Sequence, residues 1–106
     1  MVRGDRVLGW WPNEKDWFYA GVVCDISGNE IEVQYDDCNR AELKVDQVRP
    51  FKIELGARVY VRWRGGETYY PGRVGQIDGS AISVDYDDGD QEWCSVSAMR
   101  FHRDDL

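Results

Sequence analysis

The chain states one pattern twice, and no other feature constrains its fold as tightly. Gly4-Asp5-Arg6-Val7-Leu8-Gly9-Trp10-Trp11 matches Gly56-Ala57-Arg58-Val59-Tyr60-Val61-Arg62-Trp63, and Trp17-Phe18-Tyr19-Ala20-Gly21-Val22-Val23 matches Thr68-Tyr69-Tyr70-Pro71-Gly72-Arg73-Val74. Ile31-Glu32-Val33-Gln34-Tyr35-Asp36-Asp37 then matches Ile82-Ser83-Val84-Asp85-Tyr86-Asp87-Asp88. The offset is 52 residues before the first loop and 51 after it, so one extra loop residue in the first copy accounts for the difference. A duplication of this length means two copies of one small fold, here residues 1–52 and 53–106.

Copies of about 50 residues lie near the lower limit at which one hydrophobic core sustains a fold. The bridge Pro50-Phe51-Lys52-Ile53-Glu54-Leu55 is short and apolar, unlike the Gly-, Ser- or charge-rich linkers of independent domains. The two copies are therefore expected to pack against each other. Positions apolar in both copies mark the inward face: Val59, Val61 and Trp63 alternate, matched by Val7, Gly9 and Trp11. Tyr70, Gly72 and Val74 repeat Tyr19, Gly21 and Val23, and Ile82, Val84 and Tyr86 repeat Ile31, Val33 and Tyr35. Period two is the signature of strands. A fourth strand carries Leu43 or Cys94 inward and a short fifth carries Val48 or Met99, with at most one helical turn before it, around Asp46-Gln47 and Ser97-Ala98. Gly28 and Gly79 close tight hairpins between the second and third strands. Five short strands in so few residues predict a small closed barrel, which removes exposed sheet edges. The expected fold class is all-β, two tandem five-stranded SH3-like barrels.

Charge narrows the choice of partner. The formal net charge is −7, with seven basic against ten acidic residues in the first copy and six against ten in the second. A field of this sign repels phosphate backbones and draws in cations, which argues against nucleic acid and for a basic peptide. Cys24, Cys38 and Cys94 are odd in number, the N-terminus shows no signal pattern, and apolar runs are short. Reduced thiols, no membrane role and a cytoplasmic or nuclear location are the simplest expectations, with a monomer as the simplest state. With no C-x-x-C and only His102, neither a structural metal nor a cofactor is expected. Asp85-x-Asp87 resembles the start of a calcium loop, but Gly89 falls at its fifth position where the sixth is required, and Val96 replaces the acid at the twelfth. No carboxylate is set opposite a nucleophile, so no catalytic residues and no enzymatic activity are expected.

The informative constellation is aromatic. Trp63, Tyr70 and Tyr86 lie on inward parity but at strand ends, as do Trp11, Tyr19 and Tyr35, so three rings converge at each barrel mouth. A cation between such ring faces gains about 0.5 to 2 kcal/mol per contact. A methylated ammonium suits the site, because its methyl groups spread the charge, loosen hydration and add apolar area. Asp37 and Asp88, two residues beyond the third ring, could bring a carboxylate to the cation and accept any remaining N–H, which would favour lower methylation states. Trp10, Trp17 and Trp93 are off this register and are read as packing between the copies or as the rim of a peptide groove.

The run Gly56 to Trp63, then Tyr69-Tyr70-Pro71-Gly72-Arg73-Val74, then Val84-Asp85-Tyr86-Asp87-Asp88-Gly89, resembles the Tudor domain. The whole chain is similar to a tandem Tudor protein related to the Agenet branch. The resemblance implies SH3-like barrels that bind methyl-lysine or methyl-arginine, on histone tails in many members. It implies cage positions at Trp63, Tyr70, Tyr86 and Asp88, and at Trp11, Tyr19, Tyr35 and Asp37. This chain departs from the pattern in carrying Asp90 and Asn39 where a further aromatic is common, so each cage has three walls. Cys38 replaces the turn glycine seen at Gly89, which strains a positive φ or changes the turn. Two alternatives stay open: a scaffold whose rings merely plug undersized barrels, and a nucleic-acid binder of the SH3-like kind, disfavoured by charge.

Overall fold

The alternating apolar residues become strands in both halves of the computed structural model, which describes residues 1–106 apart from the Lys15 side chain. The chain divides into two units, Met1–Lys52 and Ile53–Leu106. In the first, β1 (Arg6–Trp11), β2 (Glu14–Ser27), β3 (Glu30–Tyr35) and β4 (Arg40–Lys44) form an antiparallel meander, and β5 (Val48–Pro50) returns to pair with β1. In the second, β6 (Arg58–Arg62), β7 (Tyr69–Asp78), β8 (Ala81–Tyr86) and β9 (Gln91–Cys94) repeat the meander, and β10 (Met99–His102) pairs with β6. Each unit is therefore a five-stranded barrel of the expected kind.

Both copies use the same devices to curve. The ladder shifts register between Val23 and Asp25 in one and between Val74 and Gln76 in the other, leaving Cys24 and Gly75 as the extra residues of matching bulges. A bulge bends its strand and increases local twist, so one long strand can serve two sides of a small barrel. The hairpin glycines take the positive φ expected of them, +61° at Gly28 and +59° at Gly79. A single 3-10 turn precedes the fifth strand in each copy, at Val45–Gln47 and Val96–Ala98.

The core follows the inward parity. Val7, Val23, Ile31, Val33, Tyr35, Leu43 and Val48 form the first core, with Trp10, Trp11, Tyr19 and Ala41 packed against it. Val59, Val61, Val74, Ile82, Val84, Tyr86, Met99 and Phe101 are buried in the second unit. Gly21 pairs with Tyr35 and Gly72 with Tyr86 across the sheet. A Cβ on Gly21 would lie 2.7 Å from the Gln34 carbonyl oxygen, and one on Gly72 2.9 Å from that of Asp85. These glycines let two strands approach beside the mouth tyrosines. Simple alternation misses one feature: Leu8, Phe18 and Ala20 are buried on the opposite parity.

Candidate functional site

The Tyr-Asp-Asp motif folds into the same turn twice. Tyr35 N–H donates to Asn39 O at 2.8 Å and Cys38 N–H to Tyr35 O at 2.9 Å, while Tyr86 N–H donates to Asp90 O at 2.8 Å and Gly89 N–H to Tyr86 O at 3.0 Å. Cys38 keeps the positive φ of its glycine counterpart, +73° against +95° at Gly89, so the turn is retained at the cost of a strained cysteine backbone.

Both carboxylates of each pair have work in this turn. Asp36 forms a bidentate ion pair with Arg6, its Oδ2 accepting from Nη2 at 2.7 Å, and Asp87 takes Arg58 Nη1 on both oxygens at 2.7 and 2.8 Å. Asp37 Oδ1 accepts the Asn39 N–H at 3.0 Å and its Oδ2 the Asn39 side-chain amide at 3.0 Å; Asp88 Oδ1 accepts the Asp90 N–H at 3.0 Å. The candidate acids Asp37 and Asp88 thus also brace the turn that follows each tyrosine. Their charge still reaches the rings, because Asp37 and Asp88 each help to raise the hydroxyl pKa of Tyr35 and Tyr86, an effect dominated by burial.

The rings come together as tryptophan–tyrosine corners. Trp11 and Tyr35 meet at 5.1 Å between centroids and 81° between planes, and Trp63 and Tyr86 at 5.2 Å and 78°. Edge-to-face geometry is the favoured arrangement of aromatic quadrupoles, and it leaves two faces at right angles. The tyrosines form the floor, only 4% and 5% exposed, and the tryptophans are half-buried. Tyr19 is half-buried against the first core, whereas Tyr70 is 46% exposed. Tyr35 hydroxyl donates to the Trp10 carbonyl at 2.5 Å.

Two acids that sequence reasoning passed over stand at these corners. Tyr19 hydroxyl donates to the Glu14 carboxylate, at the start of β2 where Glu14 pairs with Trp11. In the second barrel Glu92 lies 3.4 Å from the Tyr86 hydroxyl and accepts the Arg64 N–H at 3.1 and 3.3 Å. Its charge also helps burial to raise the Cys94 thiol to about 11. A usable signal existed for Glu92: it pairs with Val84 and sits two residues before Cys94, hence on the inward parity. Its counterpart on the Val33 partner position is Ala41, so the two copies draw their acid from different strands. Among the described residues no group of three or more His, Cys, Asp or Glu could hold a metal ion.

Two five-stranded barrels of this topology in tandem make a tandem Tudor fold, and the comparison with solved structures agrees. The crystal structure of the Crb2 tandem tudor domains matches with a TM-score of 0.65 at 15% identity, over 94% of this chain and 81% of that one. Agenet structures also match at lower scores. AGD34 of Arabidopsis thaliana AGDP1 gives 0.48 at 12% identity, over 95% and 82% of the two chains, and tandem Agenet domain 3-4 of ADCP1 gives 0.43 at 13%, over 95% and 79%. No protein-family model matches the chain, and no curated protein matches it in sequence.

Proposed function

We propose that the chain is a non-catalytic binding module that captures a methylated lysine or arginine of a basic peptide, such as a histone tail, in the aromatic mouth of at least one barrel. The observation that carries this reading is the near-perpendicular Trp–Tyr corner, present in both barrels at about the same separation, 5.1 and 5.2 Å. Two faces at right angles offer a cation two quadrupoles at once, and Tyr19 or Tyr70 supplies the third wall. The ligand residues are then Trp11, Tyr19, Tyr35 and Asp37 in one barrel and Trp63, Tyr70, Tyr86 and Asp88 in the other. Glu14 and Glu92 join them as the acids at the rings, with Asp37 and Asp88 adding field. A chromatin-associated, nuclear role in a eukaryote follows from such a ligand.

Ring contacts of about 0.5 to 2 kcal/mol each work against the cost of ordering a peptide, so affinity is weak and rests on the methyl groups. The burial of Tyr35 and Tyr86 favours one competing reading, a scaffold whose mouths stay shut. Titrating methylated and unmethylated basic peptides while following tryptophan fluorescence separates the two. A reader responds to the methylated forms and loses the response in Trp11→Ala or Trp63→Ala; a scaffold responds to neither.

A further inference from the structure

The loop after β6 is built against the backbone preference of its own residue. Trp63 O accepts the Gly66 N–H at 2.9 Å, with Arg64 at φ +50°, ψ +34° and Gly65 at φ +72°. That is the geometry of a type I′ turn, whose first central position favours Gly, Asn or Asp. Arginine is disfavoured there, because its Cβ crowds the backbone at positive φ.

Two contacts keep it in place. Glu92, fixed on β9, accepts the Arg64 N–H on both oxygens. The guanidinium carbon then lies 5.1 Å from the centroid of the Trp63 ring, within cation–π range. Trp63 is the ring that forms the corner with Tyr86, and the same Glu92 carboxylate reaches the Tyr86 hydroxyl. The first barrel is built differently at this place, with a tight Pro12-Asn13 turn that pairs Trp11 with Glu14.

We propose that Arg64 is the resident cation of the second barrel's mouth, so that a methylated ligand engages Trp63 only by displacing the guanidinium. The inference rests on the reading of that mouth as a cation site and adds to it a built-in competitor. Because the contact is exposed, its strength corresponds to about a two- to fivefold loss of apparent ligand affinity, the factor by which the competent state is depleted. Glu92 holds the turn that presents the guanidinium to the ring.

The test uses the full isotope-labelled chain, with tetramethylammonium as the probe, and follows the Trp63 indole N–H and the Arg64 side-chain protons by NMR. Arg64→Gly, which suits the positive φ, and Arg64→Ala are compared with the unaltered chain at about 0.1 M and about 1 M salt, since a remote charge effect is screened at the higher value. The expected result is that Arg64 resonances, shielded by the indole in the free protein, lose that shielding as the probe saturates Trp63. Both variants should bind the probe about two- to fivefold more tightly at both salt concentrations. The inference is overturned if Arg64 is unshielded in the free protein, if it stays shielded at saturation, or if the gain in the variants is absent or vanishes at high salt. A Trp63 signal that ignores the probe in all three proteins, with Arg64 shielded, overturns the cation-site reading itself.

Discussion

Gly72→Ala tests how the barrel makes room for its mouth. Gly72 lies opposite Tyr86, and an added Cβ would meet Val84 Cγ1 at 2.7 Å, Asp85 O at 2.9 Å and Tyr86 Cα at 3.3 Å. Val84 is fully buried and the other two atoms are backbone of β8, so no rotamer change relieves the clash. Overpacking costs about 1 to 3 kcal/mol and belongs at the upper end here, while replacing glycine stiffens the unfolded chain and returns about 0.4 to 1 kcal/mol. The net loss is about 2 kcal/mol, roughly a thirtyfold change in the folded-to-unfolded ratio. Urea unfolding followed by tryptophan fluorescence should show the midpoint falling by about 1 to 2 M. Gly75→Ala is the control: the three atoms nearest its Cβ all belong to the Asp85 carboxylate, the first 2.5 Å away, on an exposed side chain that can swing aside. It should cost less than about 1 kcal/mol, the scale of a lost surface hydrogen bond. Equal damage from both substitutions, or a Gly72→Ala protein as stable as the parent, would refute the close-approach account.

Asp88→Ala removes the acceptor of the Asp90 N–H and should lower stability by about 0.5 to 1.5 kcal/mol in the same urea assay. It should also weaken every methylated peptide through the lost charge, and unchanged binding by a folded variant would remove Asp88 from the ligand residues. Alkaline pH should destabilise the fold, because burial and then Glu92 raise the Cys94 thiol from 9.0 to about 11, and burial raises the Tyr35 and Tyr86 hydroxyls above their usual 10.0. The folded state keeps protons that the unfolded chain releases, so stability is fully present below about pH 9 and falls as pH rises through 11. Urea midpoints measured from neutral to alkaline pH check the sign, and a midpoint that rises above pH 9 would contradict it.

Much of the barrel could be read from two copies that a single copy would have left ambiguous. Agreement between Val33 and Val84, or Gly21 and Gly72, separates positions fixed by the core from those free to vary, and it gave strand parity, hairpin glycines and the 3-10 turns before β5 and β10. The corners at Trp11–Tyr35 and Trp63–Tyr86 followed from the same parity. The capping work of each aspartate did not, because a Tyr-Asp-Asp string looks alike whether or not its carboxylates also cap a turn, and the Asn39 and Asp90 amides they accept from lie in the backbone. Glu92 was hidden because comparison of the copies favours what they share, and its counterpart in the first copy is Ala41. Arg64 escaped for another reason: its backbone takes a positive φ that favours Gly, Asn or Asp and that an arginine does not signal.

Capture of a methylated cation by the aromatic corners, as proposed, is tested more directly at the tryptophans than at the tyrosines. Tyr35 and Tyr86 are core residues whose loss would cost about 3 to 5 kcal/mol, enough to unfold so small a barrel, whereas Trp11 and Trp63 are half-buried. The decisive measurement is calorimetric titration of one basic peptide, unmethylated and with the same lysine or arginine methylated, into the parent chain, Trp11→Ala, Trp63→Ala and the double variant. The account predicts binding of the methylated form only, reduced by one or the other single substitution and abolished in a double variant that still unfolds cooperatively. Equal binding of the unmethylated peptide, or undiminished binding by the folded double variant, would contradict it.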